Sequence, residues 1–161
     1  MNNNRTERDL PFAEKRHFIR HPICFPVAYR IIERSKGSQA KGKERSSSTI
    51  NISLGGLLFS AKQAVDIGAL ILLKLPFQDK IFNVRARVVH CEKSMSVALY
   101  NIGVSFYRIQ DAFKTKLIEQ IYLISEFRDL RSMQFGREVS LEEASREWIK
   151  RYSARFRRLY W

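Results

Sequence analysis

Two short groups of residues carry side chains suited to holding an anion or a flat, hydrogen-bonding ring. The first is Arg16-His-Phe-Ile-Arg20, followed at once by His21-Pro22. Proline disfavours helical geometry in the residue before it, so both arginines belong to a non-helical segment. A planar guanidinium can grip a phosphate or a guanine edge through paired hydrogen bonds, and it can stack on a base face. The spacing alone is weak evidence, because it recurs at Arg30 and Arg34 and at Arg151 and Arg155.

The second group is Asn51-Ile-Ser53-Leu-Gly55-Gly56. Asn51 and Ser53 stand two residues apart, which on an extended chain puts two short polar side chains on the same side. Gly55 and Gly56 permit a positive φ and a close backbone approach to a flat ligand. A tight hairpin turn would use the same residues, so this group alone leaves both readings open.

Little else in the chain offers chemistry. His17, His21 and His90 sit beside basic or apolar neighbours, with no carboxylate or nucleophile at a telling spacing, so an enzyme is the least favoured class. Cys24 and Cys91 each lie in an apolar run, which fits two reduced, buried thiols, and no metal-ligand spacing surrounds them. Asn51-Ile-Ser53 has the form of a glycosylation sequon, but no secretory signal accompanies it. The formal charge of +13 calls for an anionic partner without saying which. The longest apolar run, Ala69 to Leu73, is far too short to cross a bilayer, so a cytoplasmic protein without membrane insertion is expected.

The elements that must position these residues are mostly strands. Residues 1 to 15 are polar and aperiodic, a leader that could order on binding. CFPVAYRIIE, Cys24 to Glu33, reads as a first strand, with Pro26 at an edge or strand-start position. Arg34 to Ser48 has no apolar stripe and reads as a basic, solvated loop. Further strands are expected at Thr49 to Ser53, Gly56 to Ala61, Ala69 to Leu75, Ile81 to Cys91 and Ser96 to Phe106. Within Ile81 to Cys91, Phe82, Val84, Ala86 and Val88 alternate with Asn83, Arg85 and Arg87 at period two. Asp66-Ile67-Gly68 and Lys93-Ser94 supply turns. Such a series of short strands implies an antiparallel barrel or sandwich.

At Asp111, placed as an N-cap, the spacing changes to three and four through Phe113, Leu117, Ile121, Tyr122 and Ile124, predicting a helix to about Leu130. A break at Gly136 follows. Ser140-Leu-Glu-Glu143 then matches a capping box opening a second helix, with Ile149, Tyr152, Phe156 and Leu159 as its stripe. Lys150, Arg151, Arg155, Arg157 and Arg158 crowd its end and complement the helix dipole. The stripe suits docking against the body or a second copy, as in a homodimer through the C-terminal helices, better than a membrane anchor.

Taken together and in order, the two groups resemble the PilZ family signature, Arg-x-x-x-Arg followed by Asp/Asn-x-Ser-x-x-Gly. The matching residues are Arg16, Arg20, Asn51, Ser53 and Gly56, and Gly56-Leu-Leu-Phe59, Ile67-Gly68-Ala-Leu-Ile-Leu-Leu73, Arg87-Val-Val-His90 and Ile102-Gly103-Val-Ser-Phe106 fall where the family has strands. The resemblance implies a mainly β fold, a six-stranded antiparallel barrel followed by C-terminal α-helices. It divides the chain into a leader at 1–13, the barrel with its following helix at 14–125, and a helical extension at 126–161. It also implies a cyclic di-GMP receptor whose ligand is held by Arg16 and Arg20 as phosphate and guanine clamps. Asn51 and Ser53 would contact a base edge, with Gly55 and Gly56 keeping the loop open. Asn51 stands where aspartate is commoner, which leaves an amide oxygen to accept from guanine. Lys15, just before the first arginine, makes a stacked pair of ligands plausible.

No other cofactor is implied. The ligand would change the chain's conformation for a downstream protein that the sequence does not identify, with motility, adhesion or biofilm as outputs typical of the resemblance. Two rivals stand beside this reading. One is a PilZ-like docking adaptor that binds no nucleotide; the other is a basic barrel for single-stranded nucleic acid, suggested by charge and by Phe106-Tyr107-Arg108.

Overall fold

Apolar residues at alternate positions need a sheet with one buried face, and six such runs can bury those faces by curling into a barrel. The structure, a computed structural model, describes residues 18–36, 42–77 and 80–152. Its strands are β1 (Pro26–Glu33), β2 (Arg45–Ile52), β3 (Gly56–Ala61), β4 (Leu70–Phe77), β5 (Lys80–Lys93) and β6 (Tyr100–Phe106). They close antiparallel in the order β1-β2-β3-β6-β5-β4, with β4 returning to β1. Two helices follow, α1 (Asp111–Phe135) and α2 (Leu141–Tyr152). The expected six-stranded barrel with C-terminal helices is the fold observed.

The alternation in β5 is realised, with Val84, Ala86 and Val88 buried while Asn83, Arg85 and Arg87 face solvent. Pro26 takes the strand-start position, where its missing N–H costs no ladder bond. The Asp66-Ile67-Gly68 turn closes with Ala69 N–H donating to the Asp66 carbonyl, and Gly68 adopts φ 90°.

Two expectations change at β2. The solvated loop ends earlier than Ser48, because Arg45 to Ser48 pair with Tyr29 to Pro26. Backbone pairing needs no apolar side chain, so three serines in a row join the sheet without any periodic signal. β2 also carries an extra residue against β3: Thr49 faces Phe59 and Asn51 faces Leu58, leaving Ile50 as a bulge. A bulge shifts the alternation by one. Ile50 and Asn51 therefore both avoid the core, and Ile52 returns to it fully buried.

One end of the barrel is plugged by aromatics. The Phe113 ring, from the first turn of α1, lies 5.4 to 5.7 Å from the rings of Phe106, Phe77 and Phe82. Phe25 joins through Phe77 at 5.5 Å. Edge-on rings at these separations attract beyond simple burial. The cap of α1 is Gln110 rather than Asp111, whose carboxylate instead meets Lys114 at 3.5 Å within the first turn. The helix also runs past Leu130 to a left-handed Gly136 at φ 63°. What holds its last turns is α2: Glu147 takes Arg131 and Arg151, each at 2.8 Å. Ser140 Oγ accepts from Glu143 N–H at 3.0 Å, half of the expected capping box. The other half is lost to Arg137, which draws off the Glu143 carboxylate at 2.6 Å and, by that hydrogen bond, holds its pKa below the ordinary glutamate value. Cys24 and Cys91 are free and half-buried. The ends of the α2 stripe, Phe156 and Leu159, lie outside the described residues.

Two substitutions test this architecture. Gly56→Ala would set a Cβ 2.0 Å from the Val104 carbonyl oxygen and force β3 from β6; urea unfolding should show a loss of about 3 kcal/mol. Because Glu143 has a lowered folded pKa, its contribution is complete above the ordinary glutamate range and disappears as pH falls through the lowered value. An Arg137→Ala variant should then show helical circular dichroism insensitive to that pH step, where the parent chain loses signal.

Candidate functional site

The segment that carries Arg20 enters the barrel beside β2 and is fastened there twice. His21 and Ile52 exchange backbone hydrogen bonds, at 2.8 and 2.9 Å. Two residues on, the buried Thr49 hydroxyl donates to the Ile23 carbonyl at 2.6 Å and accepts from Phe25 N–H at 2.7 Å, while Thr49 N–H donates to the Phe25 carbonyl at 2.8 Å. The antiparallel register at His21 and Ile52 sets Arg20 beside Ser53 and Pro22 beside Asn51. Arg20 is exposed and has no ion-pair partner among the described residues. Lys15 and Arg16 lie outside the described residues.

The loop is a turn built by its own serine. Ser53 N–H donates to the Gly56 carbonyl at 2.8 Å; its hydroxyl donates to the same oxygen and accepts from Gly55 N–H, both at 3.2 Å. Ser53 is consequently buried, and its side chain serves the turn first. Asn51 is half-buried and its amide makes no side-chain hydrogen bond within the described chain. The glycines do not use positive φ, which among the described glycines occurs only at Gly68 and Gly136. They are needed for close approach, but to protein: a Cβ on Gly56 would strike the Val104 carbonyl, and one on Gly55 would lie 2.5 Å from the ring of Phe18.

Phe18, between the two arginines, therefore rests on the backbone of Gly55 with about half of its surface still exposed. Spacing gave no hint of this contact; the available signal was an aromatic residue inside an arginine pair. Thr49 was also missed as an anchor, since one threonine in a polar run looks like any other. Next to the loop, the register lines up Leu58 on β3, Gly103 on β6 and His90 on β5. A Cβ on Gly103 would come 2.9 Å from that of His90 and 3.6 Å from Leu58 Cδ1, so the glycine keeps a low floor between them. The result is an outer barrel surface with a cation at one side, a free amide beside it and a flat stretch of sheet. Such a surface can hold a planar, anionic molecule. No cluster of His, Cys, Asp or Glu among the described residues could hold a metal ion.

Comparison with solved structures finds the same barrel. The Escherichia coli YcgR complex with c-di-GMP matches at TM-score 0.52 and 12% identity, covering 75% of this chain and 50% of that one. The K. pneumonia MrkH–c-di-GMP complex matches at 0.51 and 18% identity, covering 73% and 54%. The Bacillus subtilis inhibitor of motility, MotI/DgrA, matches at 0.50 and 14% identity, covering 65% and 48%. This chain thus spans about half the length of each, and at these identities the likeness concerns the fold. Curated proteins yield no significant match. The PilZ domain family model matches residues 14–123, a span that takes in both arginines, the Asn51–Gly56 loop, all six strands and the start of α1. With that match over most of its length, on a closed barrel that brings Arg20 beside the Asn51–Gly56 loop, the chain belongs to the PilZ domain family.

Proposed function

We propose that this chain is a cyclic di-GMP receptor that reports ligand arrival to a downstream protein. The observation that carries the reading is the pairing of His21 with Ile52, which brings Arg20 to the loop holding Asn51, Ser53 and Gly55. Arg20 and, from the segment before it, Arg16 grip phosphate and guanine. The Asn51 amide meets a base edge, and Gly55 and Gly56 keep the loop low enough for a base to lie across it. Lys15 contributes charge next to Arg16 and favours a stacked pair. Membership of the PilZ family and the two structural neighbours solved with c-di-GMP support this ligand.

The chain acts by binding and has no catalytic role. Among the described residues no helix is long and apolar enough to cross a membrane, and we place the protein in the cytoplasm. The leader at 1–13 closes over ligand on the 14–125 unit, and the 126–161 extension carries the output, by docking a partner or a second copy of the chain.

One observation favours a second reading, a docking adaptor without nucleotide: Phe18 already covers Gly55, and the Ser53 hydroxyl is engaged in its own turn. Calorimetry with cyclic di-GMP separates the two. The receptor shows saturable heat, absent with an equal concentration of single-stranded oligonucleotide; no heat with the dinucleotide establishes the adaptor. Arg20→Ala should weaken binding roughly 10- to 100-fold, the range for a lost charge-assisted hydrogen bond. Amide exchange at residues 18–21 should slow when ligand is added, and unchanged exchange would count against a closing segment.

A further inference from the structure

A cleft of about 230 Å³ opens beside the loop, between β5 and the link that joins β6 to α1. Its polar lining is Asn83, Arg85, Tyr107, Arg108 and Gln110, and Phe113 forms part of its apolar wall. Arg85 faces outward because Val84 and Ala86 face the core. Arg108 holds φ 50°, the one described non-glycine residue in the left-handed region, with its guanidinium 5.3 Å from the Tyr107 ring centre. Residues kept in that region mark places where the surroundings insist on a conformation.

Neither guanidinium has a carboxylate partner among the described residues. The nearest acid along the chain, Asp111, is 98% exposed and turned to Lys114. Gln110 caps α1 without a side-chain bond, so its amide remains a donor and the first-turn N–H groups receive no side-chain cap. Two unopposed cations, two amide side chains and the positive end of a helix thus converge on a pocket with an aromatic wall. The volume is below that of drug-sized sites, which sets the ligand as compact.

We infer that this cleft is a second anion site, taking a compact phosphomonoester whose flat or apolar body lies against Tyr107 and Phe113. It reaches from the end of β6, which adjoins the Asn51–Gly56 loop, to β5, one strand further around the barrel. The backbone between them is continuous: Phe106 N–H donates to the Gly55 carbonyl at 2.9 Å, and Tyr107 N–H donates to the Arg85 carbonyl at 2.8 Å. A molecule in the cleft would therefore bear on the same backbone that carries the loop.

Phenyl phosphate is the probe, titrated into the full chain and followed by amide chemical shifts. Saturable shifts confined to Asn83, Arg85, residues 106–112 and the adjoining Gly55 are expected, with Arg85→Ala weakening binding at least 10-fold. Arg108→Gly removes the guanidinium while suiting the left-handed backbone, so lost binding with an unchanged or raised Tm reports the contact rather than misfolding. Shifts that never saturate, that spread over the basic surface, or that survive both substitutions overturn the proposal. Cyclic di-GMP distinguishes the source of the phosphate. If it displaces phenyl phosphate and moves the same amides, the cleft is the far end of the nucleotide site and the independent site is overturned; if both bind together, the site is separate. Failure of cyclic di-GMP to bind anywhere leaves the phenyl phosphate result intact.

Discussion

The Thr49 hydroxyl, between the Ile23 carbonyl and Phe25 N–H, is the contact on which the rest of this surface depends. A buried hydroxyl that both donates and accepts leaves no unsatisfied group behind it, and it fixes the relative position of two chains without occupying a ladder position. Here it joins the entry segment to β2 at the point where β2 is about to bulge. The bulge turns Asn51 away from the core, the His21–Ile52 bridge follows, and Arg20 arrives beside the Ser53 turn. Each of these features is local. Their common placement on one rim comes from the threonine that sets where the entry chain begins to run alongside the sheet.

The same rim carries the plug. Phe25 belongs to the entry segment, Phe106 hydrogen-bonds to Gly55, and both belong to the ring cluster that receives Phe113 of α1. The candidate site and the helix root therefore share backbone, with no intervening layer to absorb a shift. Aromatic packing of this kind has few alternative arrangements at the same density, so movement of the link at Phe106 and Tyr107 is transmitted rather than dissipated.

Much of this was legible in the order of residues. β3 coincides with its expected bounds to the residue, because Leu57, Phe59 and Ala61 alternate inward from a glycine start. Repeated short strands imply a barrel or a sandwich, and the resemblance carried by the two motifs flanking the first strand narrows this to the closed barrel observed. What stayed hidden was whatever depends on a neighbour far along the chain. Ser46, Ser47 and Ser48 became strand through backbone pairing with β1, for which side-chain periodicity holds no sign. Gly55 and Gly56 suggest positive φ and the close approach of a flat ligand, whereas neither uses positive φ and the groups that approach them are Phe18 and Val104 of the protein itself. The extension of α1 beyond Leu130 depends on Glu147, sixteen positions beyond the Arg131 that it holds.

The length of α1 has a mechanical side. At 25 residues it is about 38 Å long, with its root in the ring cluster and its far half braced by α2. A straight helix converts rotation at one end into displacement at the other. A tilt of about 5° at the Phe113 end would carry the Gly136 end roughly 3 Å, about the width of one strand-to-strand hydrogen bond. A rearrangement too small to disturb the barrel would thus arrive at the tip of the helix pair large enough to make or break a contact.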